Sequence, residues 1–146
     1  MKKKKNHTIA WWKKKLWRIF TLYVKEKGNW TCFTCGKVAV GSGMAGGHFI
    51  SAAACPPSLY FHEDNVRPQC SHCNLVLEGN HYLYGVKLGK RIVNKLYKLK
   101  EEKRGEVWTQ EDYQKQIKRY EQKYKDIKQT NLEGARRSRE DSIGAR

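Results

Sequence analysis

The chain has 146 residues, with 30 Lys and Arg against 14 Asp and Glu, a net charge of +16 and a pI near 9.8. With 39% hydrophobic residues it can bury one modest core, as a small domain with appended helices, and no window approaches the ~18 uninterrupted apolar residues of a membrane span. The apolar stretch after Met-Lys-Lys-Lys-Lys is broken by Lys13, Lys14, Lys15 and Arg18, which excludes a secretory leader and points to a cytoplasmic protein.

The charge is unevenly placed. Residues 1–27 carry +9, 28–86 carry −1, 87–128 carry +7 and 129–146 carry +1. Two basic arms therefore flank a nearly neutral centre, the footprint of a chain that grips a polyanion such as nucleic acid. Composition does not separate DNA from RNA.

In chain order, residues 8–27 read as a helix: Trp12, Leu16, Ile19 and Tyr23 recur at helical spacing, and Gly28 supplies the stop. Trp11, Trp12 and Trp17 are read as packing residues, base stacking being the lesser alternative. From Asn29 to Asn80 periodicity fails. Short strands fit residues 47–50 and 59–61, joined by a loop holding Pro56-Pro57, with a short helix over 68–78 closed by Gly79. Residues 86–103 form a helix by the stripe Leu88, Ile92, Leu96, Leu99. Thr109-Gln110-Glu111-Asp112 resembles a capping sequence opening a last amphipathic helix along Tyr113, Ile117, Tyr120, Tyr124 and Ile127. Residues 129–146 lack periodicity and read as a disordered tail.

Four of the five cysteines form two C-x2-C pairs, Cys32/Cys35 and Cys70/Cys73. A two-residue gap lets two thiolates converge in one tight turn, and two such knuckles complete a tetrahedral shell for a structural Zn2+. The 34 residues between the pairs exceed a simple zinc-ribbon loop, so something is built there. Cys55 is left as a free, partly buried thiol.

The insertion holds Ala45-Gly46-Gly47-His48-Phe49 and Phe61-His62-Glu63-Asp64-Asn65, followed by Gln69-Cys70-Ser71-His72-Cys73-Asn74 and Gly79-Asn80. Cysteine pairs bracketing a histidine, with asparagines before and after the second pair, resemble the ββα-metal (HNH) nucleases, including endonuclease VII-type junction resolvases. The closer resemblance is to the phage NinG family, also called Rap, of recombination endonucleases, over about residues 28–100. It implies a small zinc-stapled ββα-metal core (29–84); with the segments read above from charge and periodicity, the expected fold is α+β, that core flanked by a basic N-terminal tail and helix (1–28), basic C-terminal helices (85–128) and a tail (129–146), the N-terminal arm and the tail lying outside the resemblance.

The resemblance also implies site roles. His48 maps to the general base, Asn65 to the residue that orients it, and Asn74 to a ligand of a catalytic Mg2+ or Mn2+. Many such nucleases place a metal-binding aspartate just before the base, where this chain has Gly47; the substitute is Asp64, Glu63 or Glu78, or else the metal relies on water and substrate. His62, His72 and His81 are read as packing or solvent-facing. Lys13, Lys14, Arg18, Lys90, Arg91 and Lys95 are expected to contact DNA phosphates. The implied activity is metal-dependent cleavage of branched DNA, such as Holliday junctions or D-loops, in phage recombination by a homodimer, since paired nicks need two sites. The rival expectations are a non-catalytic zinc-ribbon binder and a less selective HNH nicking enzyme.

Overall fold

A computed structural model describes residues 7–144; the lysines of the expected basic tail, Lys2–Lys5, lie outside the described residues. Helix α1 (Ile9–Lys27) starts at Thr8, whose side-chain oxygen accepts from the Trp11 amide at 3.2 Å, and stops at Gly28. Its buried face, Leu16, Phe20, Tyr23 and Val24, packs on Tyr113, Ile117 and Tyr120 of the last helix, α5 (Gln110–Gly144), and Phe61 and Val66 complete this core. Each such side chain, once fully buried, contributes roughly 1.5–3 kcal/mol of transfer free energy. Thr109 and Asp112 cap α5 reciprocally: the Asp112 carboxylate accepts from the Thr109 amide at 2.8 Å, and the Asp112 amide donates to the Thr109 hydroxyl at 3.3 Å.

Against α1 packs a two-stranded antiparallel sheet of β1 (Met44–His48) and β2 (Val66–Cys70), in register Met44↔Cys70 to His48↔Val66. The chain is thus mixed, helices around one small sheet. The second strand is not the expected 59–61. Pro56 and Pro57 preset φ for a helix start instead, so Pro57–Tyr60 form the short α2 that buries Leu59. Val66–Cys70 is a strand despite Pro68, because a two-stranded sheet leaves each strand one free edge where a missing N–H costs nothing. The expected helix over 68–78 shrinks to a π-helical turn, His72–Val76.

The expected helix over 86–103 is two helices, α3 (His81–Leu88) and α4 (Lys90–Glu102), parted by Gly89 at φ +80°. That left-handed conformation suits glycine and ends α3. Tyr84, Leu88 and Leu96 from this pair form a second core with Phe49, Ile50 and Leu59. The region read as a disordered tail instead continues α5 to Gly144. Asn131 donates to Glu26 on α1 at 3.0 Å, anchoring the start of this stretch, and local i,i+4 bonds such as Gln129 to Glu133 carry it on.

Candidate functional site

The four cysteine sulfurs converge. Cys32 and Cys35 lie in the turn after α1, while Cys70 ends β2 and Cys73 sits in the π-helical turn. All four Sγ atoms are within 4.8 Å of one another, and among the described residues this is the one group of His, Cys, Asp or Glu placed to hold a metal ion. Cys35 and Cys70 sulfurs are 3.7 Å apart, matching the edge of roughly 3.8 Å for a tetrahedron with Zn–S bonds near 2.3 Å. Burial alone would raise the Cys32 thiol, but the Cys35 amide and the Thr34 hydroxyl bring it down to about 6, while burial and the neighbouring sulfurs push the Cys35 thiol up to about 12. The donor set fits Zn2+, and four thiolates leave no open position for chemistry.

The knuckle aims the next residue. Asn74 follows Cys73 directly, and the π-helical turn is closed by the Leu77 amide on the His72 carbonyl at 3.0 Å and the Gly79 amide on the Cys73 carbonyl at 2.9 Å. His48, ending β1, lines the same groove of about 370 Å³ as Asn74, together with Gly46, Glu78, Gly79 and His81.

The His48 ring is fixed on three sides. Trp17 of α1 stacks parallel to it, centroids 5.0 Å apart at 7°, and Tyr60 packs at 4.6 Å. His48 Nε2 lies 3.0 Å from the Tyr60 carbonyl; a carbonyl only accepts, so Nε2 carries the proton and Nδ1 keeps a lone pair. Burial pushes the His48 pKa below its ordinary value; the Tyr60 carbonyl opposes that, and nearby Lys13 reinforces it. The ring is thus neutral and basic at neutral pH.

Asn65 does not touch the His48 ring. It is fully buried; its oxygen accepts from the Ile50 amide at 2.7 Å, and its nitrogen donates to the Leu59 carbonyl at 3.1 Å and the Cys55 sulfur at 3.4 Å. It pins the loop between the strands, and one residue beyond Leu59 is the carbonyl that holds His48. The expectation that Asn65 orients the base is therefore corrected to an indirect contact through α2.

Asp64 is not in the groove. Its carboxylate pairs with Arg67 and with Lys95 of α4, each at 3.1 Å. Glu63 is likewise taken, accepting from Lys27 at 2.7 Å, from Lys123 and from Tyr23 at 3.2 Å. Burial would raise the Glu63 carboxyl, but Lys123 and Lys27 hold it down at about 2. Of the three carboxylates considered, Glu78 alone lines the groove. His81 lines it too, its Nε2 2.9 Å from the Phe49 carbonyl and its ring stacked on Phe49. His62 accepts from the Asp64 amide at 3.1 Å, and His72 is exposed.

The structure also gives a reason for the missing aspartate. A Cβ at Gly47 would sit 2.0 Å from Oε1 and 2.7 Å from Cδ of Gln69, a fully buried residue on β2. No side chain fits at position 47 while Gln69 holds this pose. Replacing Gly47 by Ala is expected to cost about 1–3 kcal/mol through overpacking, read as a lower urea midpoint of the zinc-loaded protein; an unchanged midpoint contradicts the clash.

Of the expected phosphate contacts, Lys13, Lys14 and Arg18 are exposed on α1, and Lys90, Arg91 and Lys95 on α4. Lys13 is the one tied to the His48 surroundings, its Nζ 4.2 Å from the Tyr60 ring centroid, whereas Lys95 is already paired with Asp64. The sequence reading missed the Trp17 stack, the Tyr60 carbonyl and Gln69. Gln69 stands in the quoted motif beside Cys70, but only the strand register reveals where its amide goes.

A family model described as Bacteriophage Lambda NinG protein matches residues 1–131. The proteins named Protein ninG of Salmonella phage P22 and of Escherichia phage lambda are each 29% identical over 128 residues, which is 86% of this chain and 62% of theirs. The chain thus spans less than two thirds of the length of these curated relatives. No solved structure matches it.

Proposed function

The chain belongs to the NinG family of phage proteins, and from that premise we propose that it is a divalent-metal-dependent DNA endonuclease acting on branched DNA during phage recombination. The observation that carries this reading is the placement of His48, whose free Nδ1 lone pair belongs to a ring lining the same groove as Asn74. Hydrolysis of a phosphodiester needs an activated water and charge neutralisation on the phosphate. His48 Nδ1 takes the proton from the attacking water, while Trp17 and Tyr60 hold the ring and exclude bulk solvent from its faces. Asn74 offers a hard oxygen of the kind Mg2+ or Mn2+ prefers, and Glu78 stands by in the same groove. When bound, the cation offsets charge on the phosphate and the leaving oxygen. The zinc clasp keeps Asn74 beside the strand that carries His48, and the α1 and α4 lysines and arginines draw in the backbone.

The preference for branches follows from the family resemblance. Labelled four-way junction and linear duplex of equal length, incubated with Mg2+, test both parts. Cleavage of the junction well above the duplex is expected. Equal cleavage of the two favours a less selective nicking enzyme, and binding without cleavage favours a zinc-stapled binder.

Because burial disfavours the charged imidazole, the neutral base persists to lower pH than a free histidine. The acid limb of kcat/KM is expected to have its midpoint below ~6.5, and a midpoint at or above that value contradicts the assignment.

A further inference from the structure

A second pocket lies along β2, the strand that does not carry His48, and shares no lining residue with the His48 groove. Its volume is about 380 Å³, within the roughly 300–1,000 Å³ of small-molecule sites. Val24 of α1, Phe33 of the first knuckle, and Val66 and Pro68 of β2 give it apolar walls. Lys27, Arg67 and Lys87 bring three cations to it against one carboxylate, Glu63, whose charge Lys27 and Lys123 already offset.

Phe33 and Arg67 stand in a defined pose. The Arg67 guanidinium carbon is 5.4 Å from the Phe33 ring centroid, and the fully buried Tyr84 packs against the same ring, centroids 5.1 Å apart. The wall is thus ordered before a ligand arrives, which lowers the cost of binding one. Arg67 uses one terminal nitrogen, Nη2, on Asp64 at 3.1 Å, and its buried Nε has no hydrogen-bond partner among the described residues. Lys87 is exposed on α3 and takes part in none of the ion pairs among the described residues.

A flat apolar unit with an attached anion engages all of these groups. A bare phosphate leaves the apolar walls unused, and a neutral apolar ligand leaves the cations unpaired. A nucleotide has both parts: its base stacks on aromatic rings and guanidinium planes, and its phosphate pairs with lysine. Within a duplex the faces of each base are covered by its neighbours, so an unpaired nucleotide is the one free to enter. We propose that this pocket holds one unpaired nucleotide of the DNA strand, its base against Phe33 and the Arg67 guanidinium and its phosphate on Lys87 and Lys27. The inference rests on the branched-DNA reading above for the source of the nucleotide. It also gives that reading a physical basis, because a fully paired duplex has nothing to place in the pocket.

The test uses zinc-loaded full-length protein without added Mg2+, so that binding is read without cleavage. Fluorescence anisotropy compares a fully paired duplex with the same duplex bearing a short single-stranded branch. Phe33→Leu removes the ring and keeps apolar bulk. It is expected to weaken binding of the branched DNA about fivefold or more, the contribution of stacking one base on an aromatic side chain, with duplex binding and zinc content unchanged. Lys87→Ala is expected to lower the slope of log affinity against log salt for the branched DNA by about 0.7, and to leave the duplex slope as it was. Iododeoxyuridine placed in the branch and irradiated is expected to cross-link to the peptide that holds Phe33. Unchanged branched binding in both variants, equal losses on the two DNAs, or a cross-link confined to other peptides overturns the proposal. Should Phe33→Leu lose its zinc, Lys87→Ala and the cross-link decide. Free thymidine monophosphate is the other source of this chemistry, and its binding as tightly as the branched DNA overturns the assignment to a DNA strand. Wild type that cross-links at Phe33 but cleaves no branched DNA with Mg2+ removes the nuclease reading alone and leaves the pocket standing.

Discussion

His48→Ala is expected to lower Mg2+-dependent cleavage of a branched substrate by about 10²–10⁴-fold, the range that a positioned general base supplies. The substitution removes an imidazole whose lone pair shares a groove with Asn74 and leaves the other groove imidazole, His81, held on the Phe49 carbonyl. It leaves the cysteine clasp and the basic helices in place, so zinc content and DNA affinity are expected to stay near wild type. Truncation also opens a gap between Trp17 and Tyr60, which had enclosed the ring. Added imidazole fits that gap and is expected to restore part of the rate, an effect that a merely structural histidine does not show. Retention of full cleavage by His48→Ala, with the protein folded, rejects His48 as the base.

Removing zinc, by a strong chelator or by Cys73→Ser, is expected to abolish the cooperative melt of the central segment and all cleavage. Structural zinc contributes roughly 10–16 kcal/mol in finger-sized domains, comparable to or above the ~5–15 kcal/mol that keeps a whole domain folded. Around the cysteines the structure offers little else: Met44 is the one buried apolar side chain that joins them in their cluster. The α1–α5 core contains no cysteine, so much of the helical far-ultraviolet signal is expected to survive while amide protection over Met44–His48 is lost. An apo protein that keeps protection across β1 and β2 contradicts a structural role for the clasp.

How much of this was legible in advance depended on the range of the interaction. Thr8, the stripe from Trp12 to Tyr23 and Gly28 mark α1 within one stretch of chain, and Thr109 with Asp112 marks the start of α5. C-x2-C spacing is equally local. Pairing between strands is not: β2 passed for the start of a helix because its partner lies some twenty residues upstream and Pro68 disguises it. Asp64 passed for a ligand because nothing in sequence announces that Arg67 and Lys95 would claim it.

Composition, periodicity and cysteine spacing therefore determined a basic chain with helical arms around a centre whose four cysteines could hold a metal ion, since helix faces, caps and knuckles are set by neighbours a few residues away. Only the tertiary structure decided that Trp17 from an arm walls the His48 ring, that Asn65 serves the loop rather than the ring, and that Gln69 fills the space beside Gly47. Those three facts depend on register and on packing between segments far apart in the chain, and no local pattern encodes either.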